Sequence, residues 1–574
     1  MSLVWGQAPS ESIEQPVTQR YAPRVASRRE RIVMGCLLFY AIVLLIVLIP
    51  PDVFSTSSKT FFVTIALIGV WRYSWWFLQA VRALIYLRIR FPAYRRAAFR
   101  LQNSRVDKIF ALVTSYRMNP DVTRAVYGAL LREISAYNAP ALIVASVTGR
   151  DDLQLLKHLV AQLDLSDRVE LLVMFQDGTG KRPAMAEALR AISRRMPTSN
   201  SVCILMDGDC RINAGTLNKV LPFFRLMPDM GAVTIDNRGI TTGGGWAREW
   251  YDLRFAQRHL IMSSLSLSRR LLVLTGRFSV FRAQLATHPS FIDQLERDEI
   301  DHWRFGRFRF LSGDDKSTWF WLLKNGWRML YVPDARADSF EQLPRPGLLA
   351  GSVPLMKRWF GNMLRSNGRA LRLGPGRLGY FTWWALLDQR ISMWTSLVGP
   401  VAAIMLSLTY RPSFMLVYCL WVLTTRTVLS IGLAGVSRRF SPFWPFLLYF
   451  NQVVGALVKI YVSFRLNQQS WTRQKISTGS TGNRIGDAMQ RLGNVTMHAM
   501  AAISFIVAMA FYTEVLSLPH LNVIQAIAAQ PSVDEQAAAL EAALSGLHAT
   551  LPLELTMPDV KPAMSLPIPE PKPR

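Results

Sequence analysis

The sequence is poor in cysteine and contains no paired metal-binding motif. Its 574 residues include four scattered cysteines, with no Cys-x-x-Cys pair and no histidine at metal-ligand spacing. Structural zinc sites and disulfide frameworks need regularly spaced ligands, so neither organises this fold. The pattern favours reduced structural thiols in a main domain that faces the cytosol.

Acidic residues are also scarce, since 39 Asp and Glu stand against 66 Lys and Arg, for a net charge of +27. Yet half of the chain is hydrophobic and the mean hydropathy is +0.17. Nucleic acid attracts such charge, but here the basic residues flank apolar runs and form no continuous face, so nucleic-acid binding is not expected. Basic loops on the cytoplasmic side of a membrane explain the charge more simply. Attraction of an anionic substrate or polymer stays open.

The N-terminal part predicts two membrane spans. Residues 1–31 form a basic cytosolic segment, and 32–87 contain two apolar runs long enough to cross a bilayer. A secretory signal would have a shorter core and a small-residue cleavage site, so the first span is expected to be retained. Arg72 and Arg82 interrupt the second run, which is therefore kinked towards the interface or packed against protein.

Residues 100–374 alternate apolar strands with helices. A helical stretch at 122–137 separates the first two apolar runs. Such alternation predicts a Rossmann-like open α/β sheet, inserted between membrane helices, with its ligands beyond the carboxyl ends of the strands. The predicted strands are 109–114, 141–146, 169–174, 201–206 and 231–235.

Membrane segments return after this domain. The apolar run 443–464 has basic residues at both ends, so it either spans the bilayer or lies partly in the interface. An amphipathic helix is expected near 533–548. The segments are interfacial and transmembrane helices at 375–475, a polar linker at 476–496, a last span at 497–515 and an Ala/Pro-rich tail at 516–574.

An Asp-Gly-Asp sequence ends the fourth predicted strand. Asp207 and Asp209 follow the apolar run 201–206, so both carboxylates are expected at the ligand edge of the sheet. Such a pair can hold a divalent cation that also binds substrate phosphates, Mg²⁺ before Mn²⁺. The alternative is an ordinary strand-to-turn junction, where Asp and Gly are common.

A Gly-Lys-Arg sequence follows the third strand and precedes a helix. Lys181 and Arg182 come directly after Gly180, but the spacing of a Walker motif is absent. A backbone turn at a helix N-terminus with a nearby lysine still suits a phosphate or nucleotide. An exposed basic turn is the alternative.

A second acidic pair, Asp314 and Asp315, precedes a helix predicted at 317–325. A carboxylate here could remove a proton from an acceptor hydroxyl, although helix capping also favours acidic residues at this place. Further on, Arg358 and Trp359 could serve a leaving diphosphate and a sugar ring. The alternative for this last pair is an interfacial amphipathic helix.

The arrangement of these motifs resembles that of processive family-2 glycosyltransferases, which include the cellulose, chitin and hyaluronan synthases. Two early spans are followed by Asp-x-Asp, Gly-Asp-Asp and (Lys/Arg)-Arg-Trp, and then by further spans. Longer strings are most similar to those of bacterial alginate (mannuronan) synthase catalytic subunits. They lie at 69–74, 178–182, 254–259, 312–317, 388–396 and 468–473.

The resemblance implies a GT-A-like fold and assigns roles to residues. Asp315, with Asp314 beside it, is the expected general base. Two departures concern Leu355, which stands where the family has glutamine, and residues 146–152, which replace an acidic pair used in base recognition. The other implied site residues are Asp207 and Asp209 for metal and diphosphate, Lys181 and Arg182 for nucleotide, Thr275 and Gly276 near the acceptor, Arg358 and Trp359, and Trp471 and Arg473 near a gate.

The expected function is that of an inverting, divalent-cation-dependent enzyme of the bacterial inner membrane with its catalytic domain in the cytoplasm. It would polymerise mannuronate from GDP-mannuronate into a β-1,4-linked chain and translocate it. The resemblance also implies a membrane partner that carries a cyclic-di-GMP-binding domain. The alternatives are a synthase of another β-linked polysaccharide, such as a glucan, and a catalytically silent scaffold or channel.

Overall fold

The computed structural model describes most of the chain in two compact units, one up to Thr513 and one from Glu514. Apart from residues 514–516 and 541–542, the second unit, and with it most of the predicted tail helix, lies outside the described residues. The described residues are 26–51, 59–101, 105–165, 167–176, 180–242, 244–471, 476–479, 483–516 and 541–542.

The N-terminal helices begin with α1 (Arg28–Leu48), which a capping box stabilises. The Ser27 hydroxyl accepts from the Glu30 amide, and the Glu30 carboxylate accepts from the Ser27 amide, so two otherwise unpaired donors are satisfied. Helix α2 (Lys59–Ile85) covers the second predicted span. A π-helical turn, Tyr86–Arg90, links it to α3 (Phe91–Phe99).

The central domain contains ten strands, eight of them in one mixed sheet. The strands are β1 (Ile109–Thr114), β2 (Ala141–Val147), β3 (Val169–Phe175), β4 (Val202–Asp207), β5 (Cys210–Ile212), β6 (Met230–Thr242), β7 (Phe278–Arg282), β8 (Glu299–His302), β9 (Gly306–Arg309) and β10 (Arg328–Gln342). The helices are α4 (Pro120–Tyr137), α5 (Arg150–Gln162), α6 (Lys181–Ser193), α7 (Thr216–Val220), α8 (Pro222–Leu226), α9 (Gly245–Ser266), α10 (Ala283–Ala286), α11 (Pro289–Glu296) and α12 (Asp314–Lys324).

The order of the large sheet is β3-β2-β1-β4-β7-β6-β10-β5. All five predicted strands are present, and β1 to β4 pair in parallel. Strands β1, β2 and β4 are buried almost throughout, as is usual for a parallel sheet covered by helices, whereas β3 at the sheet edge is mostly only partly buried. The second half differs from a uniformly parallel sheet, since β7 runs antiparallel between β4 and β6. Strands β1 and β4 pair with Thr114 opposite Asp207, so the parallel half ends at one polar edge.

The C-terminal helices are α13 (Leu348–Leu371), α14 (Gly374–Leu378), α15 (Tyr380–Thr409), α16 (Ser413–Ser437), α17 (Trp444–Ser463) and α18 (Arg484–Tyr512), with the hairpin β11 (Gln469–Trp471) and β12 (Ile476–Thr478) before α18. Among the described residues, α1, α15, α16, α17 and α18 are long and apolar enough to cross a membrane. The ambiguous run 443–464 is thus one helix of sufficient length.

The last helix begins inside the stretch predicted as a polar linker, 476–496. Asn483 caps it, and its side chain accepts from the Ile485 amide at 3.0 Å. Ile485, Met489 and Leu492 recur at helical spacing and are exposed. The linker prediction was based on the polar residues of this segment. It overlooked the helical spacing of these three apolar residues, which form an apolar helix face.

Protein contacts surround the arginines that interrupt α2. Arg72 forms an ion pair with Asp388 of α15. Arg82 donates to the Ser268 hydroxyl at 2.8 Å, and its guanidinium lies 3.6 Å from the centre of the Phe381 ring. Of the two alternatives, the structure therefore selects packing against protein, because each cation has a partner within the helix bundle.

We expect that removing one member of the Arg72–Asp388 pair destabilises the membrane bundle. Arg72→Leu or Asp388→Leu alone leaves a buried charge without its partner, which costs about 3–5 kcal/mol. The double substitution restores most of that loss. The measurement is thermal unfolding of the purified protein in detergent, with Arg29→Leu, at an exposed position of α1, as the control. A double variant as unstable as the worse single variant would contradict the pairing.

Candidate active site

A cavity of about 480 Å³ opens at the polar edge where β1 and β4 end. It extends from the end of β1, across the Asp-Gly-Asp turn, to one face of α13. The sequence-predicted residues that line it are Lys181, Asp207, Asp209, Gly276, Asp314, Asp315, Arg358 and Trp359. The structure therefore brings residues from five separate parts of the chain to one place.

The Asp-Gly-Asp turn packs so tightly on β1 that its middle residue must be glycine. The Gly208 amide donates to the Thr114 carbonyl at 2.9 Å. A Cβ atom at position 208 would lie 2.2 Å from Ser115 Oγ and 2.9 Å from the Thr114 oxygen. Close packing at this point fixes where the Asp207 and Asp209 backbones lie.

Lys181 joins the two acidic motifs. It is the first residue of α6, and its Nζ lies 2.6 Å from Asp207 Oδ1 and 2.7 Å from Asp314 Oδ2. Burial alone would lower the pKa of Lys181, but the charges of the two carboxylates outweigh it and raise that pKa. Gly276 leaves room for this group, since a Cβ there would lie 3.3 Å from Nζ.

The Gly-Asp-Asp segment starts α12 three residues earlier than predicted. Gly313 adopts a φ of 87°, and a Cβ there would lie 2.8 Å from Asn362 Cγ, so both the backbone and the space require glycine. Asp314 and Asp315 consequently occupy the first helical turn, where the helix dipole favours negative charge. The predicted start at Ser317 overlooked glycine as a cap.

The two carboxyls of this turn have pKa values displaced in opposite directions. Burial tends to raise the pKa of Asp314, but the charge and hydrogen bond of Lys181 outweigh it and lower that pKa. Burial and then the charge of Asp314 raise the pKa of Asp315 to about 6. Two carboxyls separated in this way divide the roles of permanent anion and proton acceptor.

Arg182 and Thr275 lie away from the position expected for ligand contacts. The buried Arg182 guanidinium donates to the Leu295 carbonyl at 2.8 Å, the Ser312 carbonyl at 3.1 Å and the Ser317 hydroxyl at 2.9 Å. Thr275 is buried and its hydroxyl donates to the Phe278 carbonyl at 3.1 Å. Both residues position the loops that carry the acidic groups.

The orientation of Trp359 is fixed from behind by α9. Its ring stacks on Trp250 with 5.9 Å between centroids and 19° between planes. The Arg254 guanidinium lies 4.2 Å from the centre of the Trp359 ring, a cation–π contact. An aromatic ring held in this way is a rigid wall against which the apolar C–H face of a sugar ring can pack.

Sequence reasoning missed Ser339, Glu341 and Asn362, which line the cavity. Ser339 and Glu341 lie on β10, which was not predicted, and they accept hydrogen bonds from Arg277 at 2.9 Å and 3.0 Å. The Ser312 hydroxyl donates to Asn362 at 3.0 Å. Asn362 could have been found, because it follows Arg358 by four residues on the same helix face.

Two further predicted residues are Trp471 and Arg473. The backbone of Trp471 ends β11, whereas its side chain and all of Arg473 lie outside the described residues. Leu355, which replaces the family's glutamine, lines the cavity beside Arg358.

The cavity offers two neighbouring carboxylates to a cation. In the described part of the chain, no group of three or more His, Cys, Asp or Glu side chains could hold a metal ion. Mg²⁺ is commonly bound by one or two carboxylates together with substrate phosphates and water. Asp207 and Asp209 therefore fit a cation that arrives with a phosphorylated ligand.

Gly208→Ala is expected to lower the free energy of unfolding by about 1–3 kcal/mol, because the new methyl group overpacks the end of β1. Thermal unfolding in detergent measures the loss. Gly376→Ala is the matched control, since a Cβ there meets nothing within 4 Å. If both variants unfold at the wild-type temperature, the turn is looser than described.

Comparison with known proteins identifies the family. Residues 107–362 match the family described as glycosyltransferase like family 2. A glycosyltransferase Alg8 from Pseudomonas syringae pv. tomato is 44% identical over 427 residues, which cover 74% of this chain and 87% of the relative. A glycosyltransferase Alg8 from Azotobacter vinelandii is 45% identical over 444 residues, 77% of this chain and 90% of the relative.

One solved structure is that of the mannosyltransferase PcManGT from Pyrobaculum calidifontis, in complex with GDP-Man and Mn²⁺. It is 17% identical, with a TM-score of 0.42, and the match covers 66% of this chain and 98% of that one. The family match and the Alg8 relatives confirm the resemblance found in the sequence and the GT-A-like fold class. The chain belongs to the family-2 glycosyltransferases, in the group of the Alg8 glycosyltransferases.

Proposed function

We propose that the protein is a processive, inverting glycosyltransferase that polymerises mannuronate from GDP-mannuronate into β-1,4-linked polymannuronate, the precursor of alginate. The observation that carries this proposal is the acidic centre itself. Lys181 lies between Asp207 and Asp314, and Asp315 faces the same cavity with a raised pKa. A cation site, a phosphate-binding lysine and a base thus lie within one sugar-sized space.

The donor half of the site consists of the Asp-Gly-Asp turn and Lys181. Asp207 and Asp209 would hold a divalent cation, Mg²⁺ or Mn²⁺, which neutralises the charge of the leaving nucleoside diphosphate when bound. Lys181 already binds two carboxylates, so it can exchange one of them for a phosphate oxygen without leaving its place. The N-terminus of α6, which begins at Lys181, favours the same anion.

The acceptor half consists of Asp315, Arg358 and Trp359. Asp315 takes the proton of the acceptor hydroxyl, and that oxygen forms a bond to the anomeric carbon. The bond from that carbon to the diphosphate breaks, and its electron pair leaves with the diphosphate. One such displacement inverts the anomeric centre. Trp359 supports the acceptor sugar, and Arg358 lines the same cavity and adds positive charge near the leaving group.

The product would leave through the membrane part of the chain. A second cavity of about 780 Å³ shares Leu355 and Arg358 with the first, and its wall includes Arg465, which follows α17, and Arg491 of α18. Positive charge along this wall suits a polyanion. We place the protein in the bacterial inner membrane with the catalytic domain in the cytoplasm. Regulation would come through a membrane partner that carries a cyclic-di-GMP-binding domain.

Asp315→Asn should reduce polymer synthesis by about 10²–10⁴-fold, the usual effect of losing a general base. In the wild type, the initial rate should rise with pH through about 6, because only the deprotonated Asp315 accepts the proton. The profile is obtained from initial rates measured in membranes between about pH 5 and about pH 8. Asp301→Asn, on the exposed β8–β9 hairpin, is the control and should keep both rate and profile. An Asp315→Asn enzyme of wild-type rate would remove Asp315 from this role.

Donor specificity separates the proposal from its alternatives. Membranes supplied with GDP-mannuronate, but not with UDP-glucose or UDP-glucuronate, should release GDP and form a polymer that a mannuronate-specific lyase digests. Chelation of divalent cations, or Asp207→Asn, should abolish release. Polymer from a UDP-sugar instead would identify a different polysaccharide synthase. Absence of nucleotide-diphosphate binding with Mg²⁺ or Mn²⁺ would favour the silent scaffold.

A further inference from the structure

A basic cavity of about 290 Å³ lies at the end of two long apolar helices, away from the active site. We name it the interfacial arginine cavity. It is bounded by the end of α2, the C-terminal end of α16, and the strands β6 and β10. Its basic side chains are Arg88, Arg238, Arg336, Arg438 and Arg439, and its acidic ones are Asp236 and Asp334.

The acidic residues of the cavity are already engaged. Asp236 accepts from the Tyr331 hydroxyl at 2.8 Å and lies 3.8 Å from Arg336. Asp334 accepts from Arg95 of α3 at 2.8 Å. These carboxylates therefore leave little charge to balance the remaining arginines.

Three of the five arginines lack an acidic partner. Arg439 is paired with Asp252 at 2.6 Å. Within the part of the chain that the structure describes, Arg88, Arg238 and Arg438 have no carboxylate within ion-pair distance. Burial, followed by the charges of Arg439 and Arg336, lowers the pKa of Arg238, which reflects how close these cations are to one another. Arg238 is only partly exposed among these cations, so an anion bound beside it would relieve their mutual repulsion.

The cavity also contains polar atoms without a partner. Asn237 is 3% exposed, and its side-chain oxygen accepts from Arg258 at 2.7 Å. Its side-chain Nδ2 and the Nε atoms of Arg238 and Arg336 are buried without a hydrogen-bond partner. Buried donors almost always bind something. Amide and guanidinium donors around one space suit the oxygens of a phosphate group.

The position of the cavity indicates where that phosphate comes from. Helix α16 is one of the helices able to cross a membrane, and it ends at Ser437, in the cavity wall. Nearly two turns before that end, Ile431 is 59% exposed, and Leu84 of α2 is 37% exposed and lines the cavity. Exposed apolar side chains directly beside an arginine cluster match the boundary between acyl chains and headgroups.

From this geometry we infer that the interfacial arginine cavity binds the phosphate headgroup of an anionic phospholipid of the leaflet next to the catalytic domain. The acyl chains lie along the exposed apolar surface of α2 and α16, and the singly charged phosphate lies among Arg88, Arg238 and Arg438 and offsets part of their positive charge. The inference is independent of the donor sugar, because none of these residues lines the active-site cavity.

The test compares lipid binding by full-length variants purified in neutral detergent. Native mass spectrometry and titration with phosphatidylglycerol, against phosphatidylcholine, measure the binding. We expect Arg238→Gln/Arg438→Gln to weaken phosphatidylglycerol binding roughly tenfold or more, since each interfacial arginine contributes on the order of 1 kcal/mol. Arg96→Gln, at an exposed position of α3 outside the cavity, is the matched control and should bind as the wild type does.

Other outcomes overturn the inference. Equal phosphatidylglycerol binding by all variants would exclude the cavity, and an equal loss in the Arg96 variant would indicate only general surface charge. Displacement of the lipid by millimolar inorganic phosphate would assign the cavity to a soluble anion instead. Should the double variant fail to fold, Arg88→Gln, at an exposed position, must still show a several-fold loss, and wild-type binding there excludes the site.

Discussion

The ammonium group of Lys181, held between Asp207 and Asp314, is the contact on which the arrangement of the site depends. The three residues belong to α6, β4 and α12, which the chain forms far apart in sequence. Without the cation, two neighbouring carboxylates would face each other and their repulsion would separate the two loops. One ion pair network therefore fixes the distance between the Asp-Gly-Asp turn and the Gly-Asp-Asp turn.

Close packing around three glycines holds the groups that contact Lys181 in place. Gly208, Gly276 and Gly313 each leave room that a Cβ atom would occupy, and each adjoins one acidic motif. Arg182 holds the start of α12 through hydrogen bonds to Ser312 and Ser317 and ties it to α11 through a third, to the Leu295 carbonyl. In the sequence these three glycines suggest flexible turns, but in the structure they are points of close packing around the cavity.

Much of the fold and of the site was predictable from the sequence, and the exceptions have physical causes. Buried parallel strands are recognisable in a sequence as apolar runs, and β1 begins and ends where predicted. Strand β10 was missed because its residues alternate between burial and solvent and include charged side chains. Arg182 was predicted to bind the nucleotide together with Lys181 because the two residues are adjacent in the sequence. On a helix, consecutive residues point about 100° apart, so one faces the cavity and the other the interior.

Helix α13 has a consequence for how the enzyme can be divided. It contributes Arg358 and Trp359 to the cavity on one side and packs against the apolar helix α17 on the other. The far wall of the catalytic site is therefore anchored to the membrane bundle, and no cut through the chain separates a complete soluble catalyst from an inert anchor. A shift of the helix bundle therefore displaces Arg358 and Trp359 in the cavity directly.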